Sequence, residues 1–173
     1  PHPPAAQDSL MRFAYADPPY PGMAHRYPEN TEVDHAVLIA ELVDGFPDGW
    51  ALSTSSAALQ QVLPLCPDDV RVMAWVKPFA AWKHNVNPSY AWEPVIVQGG
   101  RRRLDDQLKI RDWVSAKITL ETGVIGAKPA GFCRWLFDVL NVEDGDELVD
   151  LYPGTGIVAK EFDRRCVTGA LFH

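Results

Sequence analysis

The tetrapeptide Asp17-Pro18-Pro19-Tyr20 contains the residue types needed for chemistry on an amino group attached to an aromatic ring. Such a nitrogen is a poor nucleophile because its lone pair is delocalised into the ring. The Asp17 carboxylate and the Pro18 carbonyl can accept its two N–H bonds, shifting the nitrogen toward tetrahedral geometry. The prolines stiffen the backbone, which suits a reaction that depends on alignment. Tyr20 can stack on a base taken out of its helix. The alternative is a plain turn with a packed tyrosine.

A second motif, residues 150–156 (DLYPGTG), follows a predicted strand and opens a predicted helix. Gly154 and Gly156 permit positive φ and close approach of the backbone to a ligand. The free N–H groups of the helix that follows favour an anion such as a carboxylate. Alone, the Gly-x-Gly pattern is also typical of an ordinary strand-to-helix turn.

Lys128 immediately precedes Pro129, and this proline suits the first position of a helix. The ammonium group of Lys128 can pair with a carboxylate of a cofactor. The alternative is a solvated lysine ahead of a helix.

Together these motifs resemble the beta-class amino-methyltransferases, which modify N6 of adenine or N4 of cytosine, and the related RNA N6-adenosine methyltransferases. The permuted order of that class, catalytic motif first and cofactor glycines last, matches this chain. The segments 75–77 and 93–97 resemble its strand pattern as well, so the likeness spans residues 13–162.

The resemblance implies S-adenosylmethionine (SAM) as the cofactor and Asp17, Pro18, Pro19 and Tyr20 as the catalytic residues at the target base. The cofactor-binding residues that it implies are Lys128, Asp150, Tyr152, Gly154, Thr155 and Gly156. Tyrosine rather than tryptophan at the fourth motif position favours DNA over RNA.

Three features depart from the family's pattern. Tyr152-Pro153 stands where the DNA enzymes commonly carry Pro-Phe, and the acidic residue that binds the cofactor ribose would follow a last strand at the very end of the chain. The target-recognition region would lie between Gly100 and Gly126, which leaves room only for a small one. We therefore expect slight sequence specificity, or a partner subunit or homodimer that supplies target recognition.

Hydrophobic periodicity and Pro/Gly punctuation predict strands alternating with helices. This pattern indicates an α/β fold, namely a Rossmann-like, mostly parallel sheet with helices on both faces in circularly permuted order. One domain, 1–173, is expected, with 1–10 as a flexible arm and no signal peptide. The predicted strands are 11–16, 50–55, 70–76, 94–97, 147–151 and 167–172, and the predicted helices are 33–44, 56–63, 129–139 and 157–165, with weak helical character over 101–122.

The formal charge of −7 argues against an autonomous nucleic-acid binder, because phosphate contacts require basic residues. Two local features nevertheless suit nucleic acid, namely a basic run and an aromatic-basic pair in a loop. These candidate contacts are Arg101, Arg102, Arg103, Trp82 and Lys83. Their alternatives are a solvated face for the arginines and simple packing for the loop.

Other classes of function lack support in the sequence. We expect no metal site and no membrane span, and three scattered cysteines favour an intracellular location. The main hypothesis is methylation of N6 of adenine in DNA. The alternatives are a non-catalytic methyltransferase-like partner subunit, and an enzyme acting on RNA, on N4 of cytosine or on a free nucleotide.

Overall fold

The structure is a computed structural model, and it describes residues 9–26, 31–78, 84–118 and 128–169. The strands are β1 (Arg12–Ala16), β2 (Gly49–Ser53), β3 (Arg71–Val76), β4 (Trp92–Gly99), β5 (Trp113–Ser115) and β6 (Glu147–Asp150). The α-helices are α1 (His35–Gly45), α2 (Leu59–Val62), α3 (Ala130–Leu140) and α4 (Ile157–Gly169), with short 3-10 helices at Ala24–Arg26 and Leu63–Leu65. No helix in these ranges is long and apolar enough to cross a bilayer.

The six strands form one sheet in the order β5-β3-β4-β2-β1-β6. Strand β1 is parallel to β2 and β6, and β3 is parallel to β5, whereas β4 is antiparallel to both of its neighbours. Five strands therefore share a direction, which confirms the expected mostly parallel α/β sheet. Because β4 runs the other way, its first residues lie at the edge where the other strands end.

Alternating side chains of the strands pack on opposite faces of the sheet. Tyr15 and Trp75 belong to the core under α3 and α4, whereas Ala14, Trp50 and Leu52 pack under α1 and α2. Both faces are thus covered by helices, as the sequence predicts.

The chain leaves the sheet in opposite directions from β1 and β6. After β1, helix α1 packs on one face, and after β6, helix α4 packs on the other. The two strands are neighbours, with Tyr15 opposite Asp150. Their carboxyl ends therefore flank a topological switch point, the place where open α/β sheets bind ligands.

Two predicted elements in the C-terminal half are wrong. Residues 101–118 form turns and the short strand β5 rather than weak helix, because Trp113 pairs with Ala74 on the open edge of β3. The expected strand over 167–172 is replaced at 167–169 by α4, which is held on α3 by ring contact between Phe162 and Phe137 at 5.7 Å between centroids.

Smaller differences concern element lengths and the chain ends. The predicted helix over 56–63 shrinks to α2, because Pro64 directs the chain into a 3-10 turn, and β4 extends beyond 94–97 at both ends. Most of the predicted arm, residues 1–8, and residues 170–173 lie outside the described ranges.

Phe132 of α3 is expected to contribute more to stability than any exposed apolar residue. It is fully buried and its ring centroid lies 5.4 Å from that of Trp75 and 5.9 Å from that of Tyr15. We expect Phe132→Ala to lower the free energy of unfolding by about 3–5 kcal/mol. Urea denaturation followed by circular dichroism measures this change.

The matched control is Val37→Ala on α1, whose side chain is 62% exposed. We expect it to change the free energy of unfolding by less than about 0.5 kcal/mol. Equal effects of the two substitutions would contradict this assignment of the core.

Candidate active site

Three elements bring polar side chains to the carboxyl edge of the parallel strands. Asp17 directly follows β1, and the strand ends there because Pro18 has no N–H to donate to a ladder. Glu93 enters from the opposite direction at the start of β4. Lys128 directly precedes α3, whose N-cap is Pro129.

The ammonium group of Lys128 lies between the two carboxylates. Its Nζ is 2.9 Å from both carboxylate oxygens of Asp17 and 3.3 Å from Oε2 of Glu93. The Tyr20 hydroxyl donates to Glu93 Oε2 at 3.0 Å and lies 3.5 Å from Asp17 Oδ1. Lys77 forms a further ion pair with Glu93 Oε1. These five side chains, Asp17, Tyr20, Lys77, Glu93 and Lys128, are called the edge cluster below.

An aromatic wall lies behind the two ammonium groups of the edge cluster. Lys128 Nζ is 5.3 Å from the Trp75 ring centroid and 5.9 Å from that of Phe132, and Lys77 Nζ is 4.9 Å from Trp75. Aromatic faces attract cations within about 6 Å, so the wall stabilises both charges.

The two carboxyls of the cluster differ in acidity. Burial raises the pKa of Asp17, although Lys128 opposes this shift. Burial also acts to raise the pKa of Glu93, but Lys128 and Lys77 together outweigh it and leave that pKa lowered. Burial acts to lower the pKa of Lys128, and Asp17 and Glu93 reverse this, so the pKa is raised. Glu93 and Lys128 are therefore held in their charged forms, whereas Asp17 is the carboxyl that takes up a proton more readily.

The loop after β6 borders the edge cluster. Asp150 lies opposite Tyr15 in the sheet and accepts the Tyr152 backbone N–H at 3.2 Å. Gly154 and Gly156 have φ values of +46° and +71°, and a Cβ at Gly156 would meet no atom within 4 Å. Helix α4 begins directly after this loop, so its first N–H groups have no partner within the helix.

Burial raises the pKa of Asp150 to about 6, against the hydrogen bond from Tyr152, and the nearby Asp17 adds to the rise. The negative charge of Asp17 therefore contributes to the raised pKa of Asp150 from the end of the adjacent strand.

The predicted catalytic residues and Lys128 come together in one place, next to the loop that holds the other predicted cofactor residues. Lys128 binds Asp17 and Glu93 here, and its role toward a cofactor stays a prediction. Glu93 and Lys77 were not predicted as site residues. The signal for Glu93 is a lone acid immediately before the apolar run 94–97 of a strand.

The arginines among the predicted nucleic-acid contacts lie elsewhere. Arg101 follows the end of β4, hence at the opposite edge of the sheet, and forms ion pairs with Asp146 at 2.6 Å and Glu143 at 3.3 Å. Arg103 donates to backbone carbonyls, and Arg102 is exposed. The predicted contacts Trp82 and Lys83 fall outside the described residues.

No protein-family model and no curated protein matches this chain. Solved structures do resemble it. The crystal structure of the M1.HpyAVI–SAM complex has a TM-score of 0.63 at 13% sequence identity, covering 92% of this chain and 80% of that chain. The crystal structure of M1.HpyAVI has a TM-score of 0.57 at 12% identity, covering 92% and 79%. This chain has a methyltransferase fold. At these identities the likeness establishes the fold alone.

The raised pKa of Asp150 predicts a pH-dependent loss of stability. In the folded chain the Asp150 carboxyl keeps its proton up to about pH 6, whereas in an unfolded chain it loses the proton near pH 3.8. Between these values the folded state holds more protons, so the stability that Asp150 contributes falls as pH rises, and it is level above pH 6.

We expect Asp150→Asn, which retains an acceptor for the Tyr152 N–H, to remove this decline. The Tm of the variant minus that of the natural chain should therefore increase from about pH 4 to 6 and then stay constant. Thermal melts in steps of pH measure it, and a difference that does not depend on pH would contradict the raised pKa.

Proposed function

We propose that this chain is a SAM-dependent methyltransferase of the permuted beta class that methylates N6 of adenine in DNA. The observation that carries the proposal is the placement of Asp17 and Pro18 at the topological switch point, beside the glycine loop after β6. The SAM complex of M1.HpyAVI, which shares this fold, supports SAM as the cofactor.

The residues at the switch point suit SAM through an open glycine and through their charge. Gly156 faces open space, as close approach of a ligand requires. Glu93, Asp17 and Asp150 bring three carboxyls to this edge against the ammonium groups of Lys77 and Lys128. When all three are ionised the balance is negative, which suits a cation. Bound SAM supplies a methyl group on a positively charged sulfur.

Asp17 and Pro18 receive the amino group of the base. Among the described residues, no N–H donates to the Pro18 carbonyl, so its lone pairs are available. The two carboxylate oxygens of Asp17 offer about four acceptor sites, so the contact with Lys128 leaves some of them accessible. Two N–H bonds accepted in this way direct the nitrogen lone pair for attack.

Asp17 also accounts for the proton that the reaction releases. Once the target nitrogen carries a fourth bond, the amino group is positively charged and readily loses a proton. No base therefore has to deprotonate it before the attack. The raised pKa of Asp17 makes this carboxylate a better acceptor for that proton than an ordinary aspartate. Lys128, which is itself paired with Glu93, holds the Asp17 side chain in position.

A non-catalytic partner subunit is the second candidate, and one observation favours it. Lys128 binds both oxygens of Asp17, an arrangement that would also serve a purely structural ion pair. An enzyme transfers a methyl group from SAM to a nucleic acid as the isolated chain, whereas a non-catalytic subunit does not.

We expect label from methyl-labelled SAM to appear as N6-methyladenine in unmethylated DNA and to fall about a hundredfold or more in Asp17→Ala. RNA and free nucleotides are assayed in parallel. The matched control is Asp44→Ala, which removes an exposed carboxylate of α1 and should leave transfer unchanged. No label on any substrate from a folded chain would overturn the stand-alone enzyme and favour the partner subunit.

Tyr20 provides a separate test of base stacking. Tyr20→Phe retains the ring and loses the hydroxyl bond to Glu93, whereas Tyr20→Ala loses both. If the ring stacks on the base, we expect Tyr20→Ala to weaken binding of the base by about 1–3 kcal/mol, seen as a raised KM, and Tyr20→Phe to retain most of it. Equal losses in the two variants would assign the effect to the hydroxyl instead.

A further inference from the structure

A cavity lies at the edge of the sheet opposite the edge cluster, where the parallel strands begin. It has a volume of about 340 Å³ and is bounded by the start of β3 and by the loop that leads into β5. Trp75 of β3 pairs with Glu93, whereas Arg71 of the same strand lines the cavity, four residues away. At about 3.3 Å per residue, the two sites are roughly 13 Å apart along the strand.

The lining of this cavity is strongly cationic. Four of its side chains carry a positive charge and one carries a negative charge: Arg71, Arg103, Lys109, Arg111 and Asp112. The excess of three positive charges stands in a chain whose formal charge is −7. An acidic protein that concentrates cations around one concave surface has a local attraction for anions.

Two of the four cations are held in fixed orientations. Arg103 donates to the backbone carbonyls of Leu108 and Asp138, which occupies part of its five N–H donors and leaves the rest free to bind. The Arg111 guanidinium lies over the Trp113 ring, 5.4 Å from the centroid. Donors that are already oriented lose little freedom when a ligand binds.

The other two cations are weakly engaged. Arg71 lies 3.5 Å from Asp112, but both side chains are more than half exposed, and such pairs contribute little. No described residue pairs with Lys109. Both groups can therefore turn toward an incoming anion.

We propose that this cavity is a binding site for a phosphate group, separate from the candidate active site. Planar guanidinium groups present paired donors that match phosphate oxygens, and a lysine adds a mobile point charge. The volume lies at the lower end of the range for small-molecule sites. The phosphate can be that of a free nucleotide or one phosphodiester of a polynucleotide strand. The proposal does not rest on the proposed methyl transfer.

Titration with inorganic phosphate tests the site directly. The indole N–H of Trp113, observed by ¹⁵N NMR, reports on it because Arg111 lies over that ring. We expect a saturable shift in the natural chain and an affinity at least about tenfold lower in the double variant Arg71→Glu, Lys109→Glu. The matched control is Lys160→Glu on α4, which changes an exposed lysine outside the cavity and should bind phosphate like the natural chain.

A gain of binding provides an independent check. Asp112→Asn removes the single carboxylate of the lining and releases Arg71, so we expect phosphate to bind several-fold more tightly. This change affects an exposed side chain, and it therefore decides the matter even if the double variant does not fold. Equal phosphate affinity in the natural chain, Asp112→Asn and Lys160→Glu, or no saturable shift, would overturn the proposal.

Fluorescence anisotropy of a labelled twelve-residue oligothymidylate distinguishes the two sources of phosphate. Binding that weakens in the double variant, with a salt slope shallower by about one for each lost contact, identifies a polynucleotide strand. Oligothymidylate binding that is equal in all variants, together with thymidine monophosphate binding that follows the phosphate results, identifies a free nucleotide. Thymine has no exocyclic amino group, so both results are independent of methyl transfer.

Discussion

The buried ammonium group of Lys128 is the constraint on which the organisation of the edge cluster depends. Its side chain is only 5% exposed, and an unpaired charge at such a depth would destabilise the fold by an amount on the order of several kcal/mol. Asp17 and Glu93 prevent this by holding the charge between them. Asp17 follows β1 and Glu93 lies in β4, and these strands are not neighbours, since β2 lies between them. Pairing of this lysine therefore ties the start of α3 to two separate strands.

The reversal of β4 makes this pairing geometrically possible. In a wholly parallel sheet, the start of a strand would lie at the edge away from the carboxyl ends, and Glu93 would be remote from Asp17. Because β4 is antiparallel to β2 and β3, Glu93 lies opposite Trp75 near the end of β3. A single reversed strand thus delivers the second carboxylate to the ligand-binding edge, and Lys77, which follows β3, reaches it there.

Much of this arrangement could be predicted from period-two patterns in the sequence. The rows that face α3 are Phe13 and Tyr15 in β1, Met73 and Trp75 in β3, and Val97 and Val95 in β4. The next residue of each row, at the edge where the parallel strands end, is Asp17 for β1, Lys77 for β3 and Glu93 for β4. Each apolar row thus ends in a charged group on the side from which Lys128 arrives. The motif around Asp17 could be recognised because prolines end its strand, but the partnership with Glu93 required the direction of β4, which short-range pattern does not specify.

The errors in prediction have a common physical origin. Local preferences are weak over 101–118 and at the end of the chain, so tertiary contacts determine the structure there. Trp113 pairs with the open edge of β3, and the final helix packs on α3. The arginine run illustrates the same limit, since three consecutive identical residues have different environments. Arg101 is paired with acids, Arg102 is exposed, and Arg103 is fixed by backbone carbonyls beside the cationic cavity. Composition could indicate that positive charge was concentrated in this segment, but only the fold could determine which of these charges faces a concave surface.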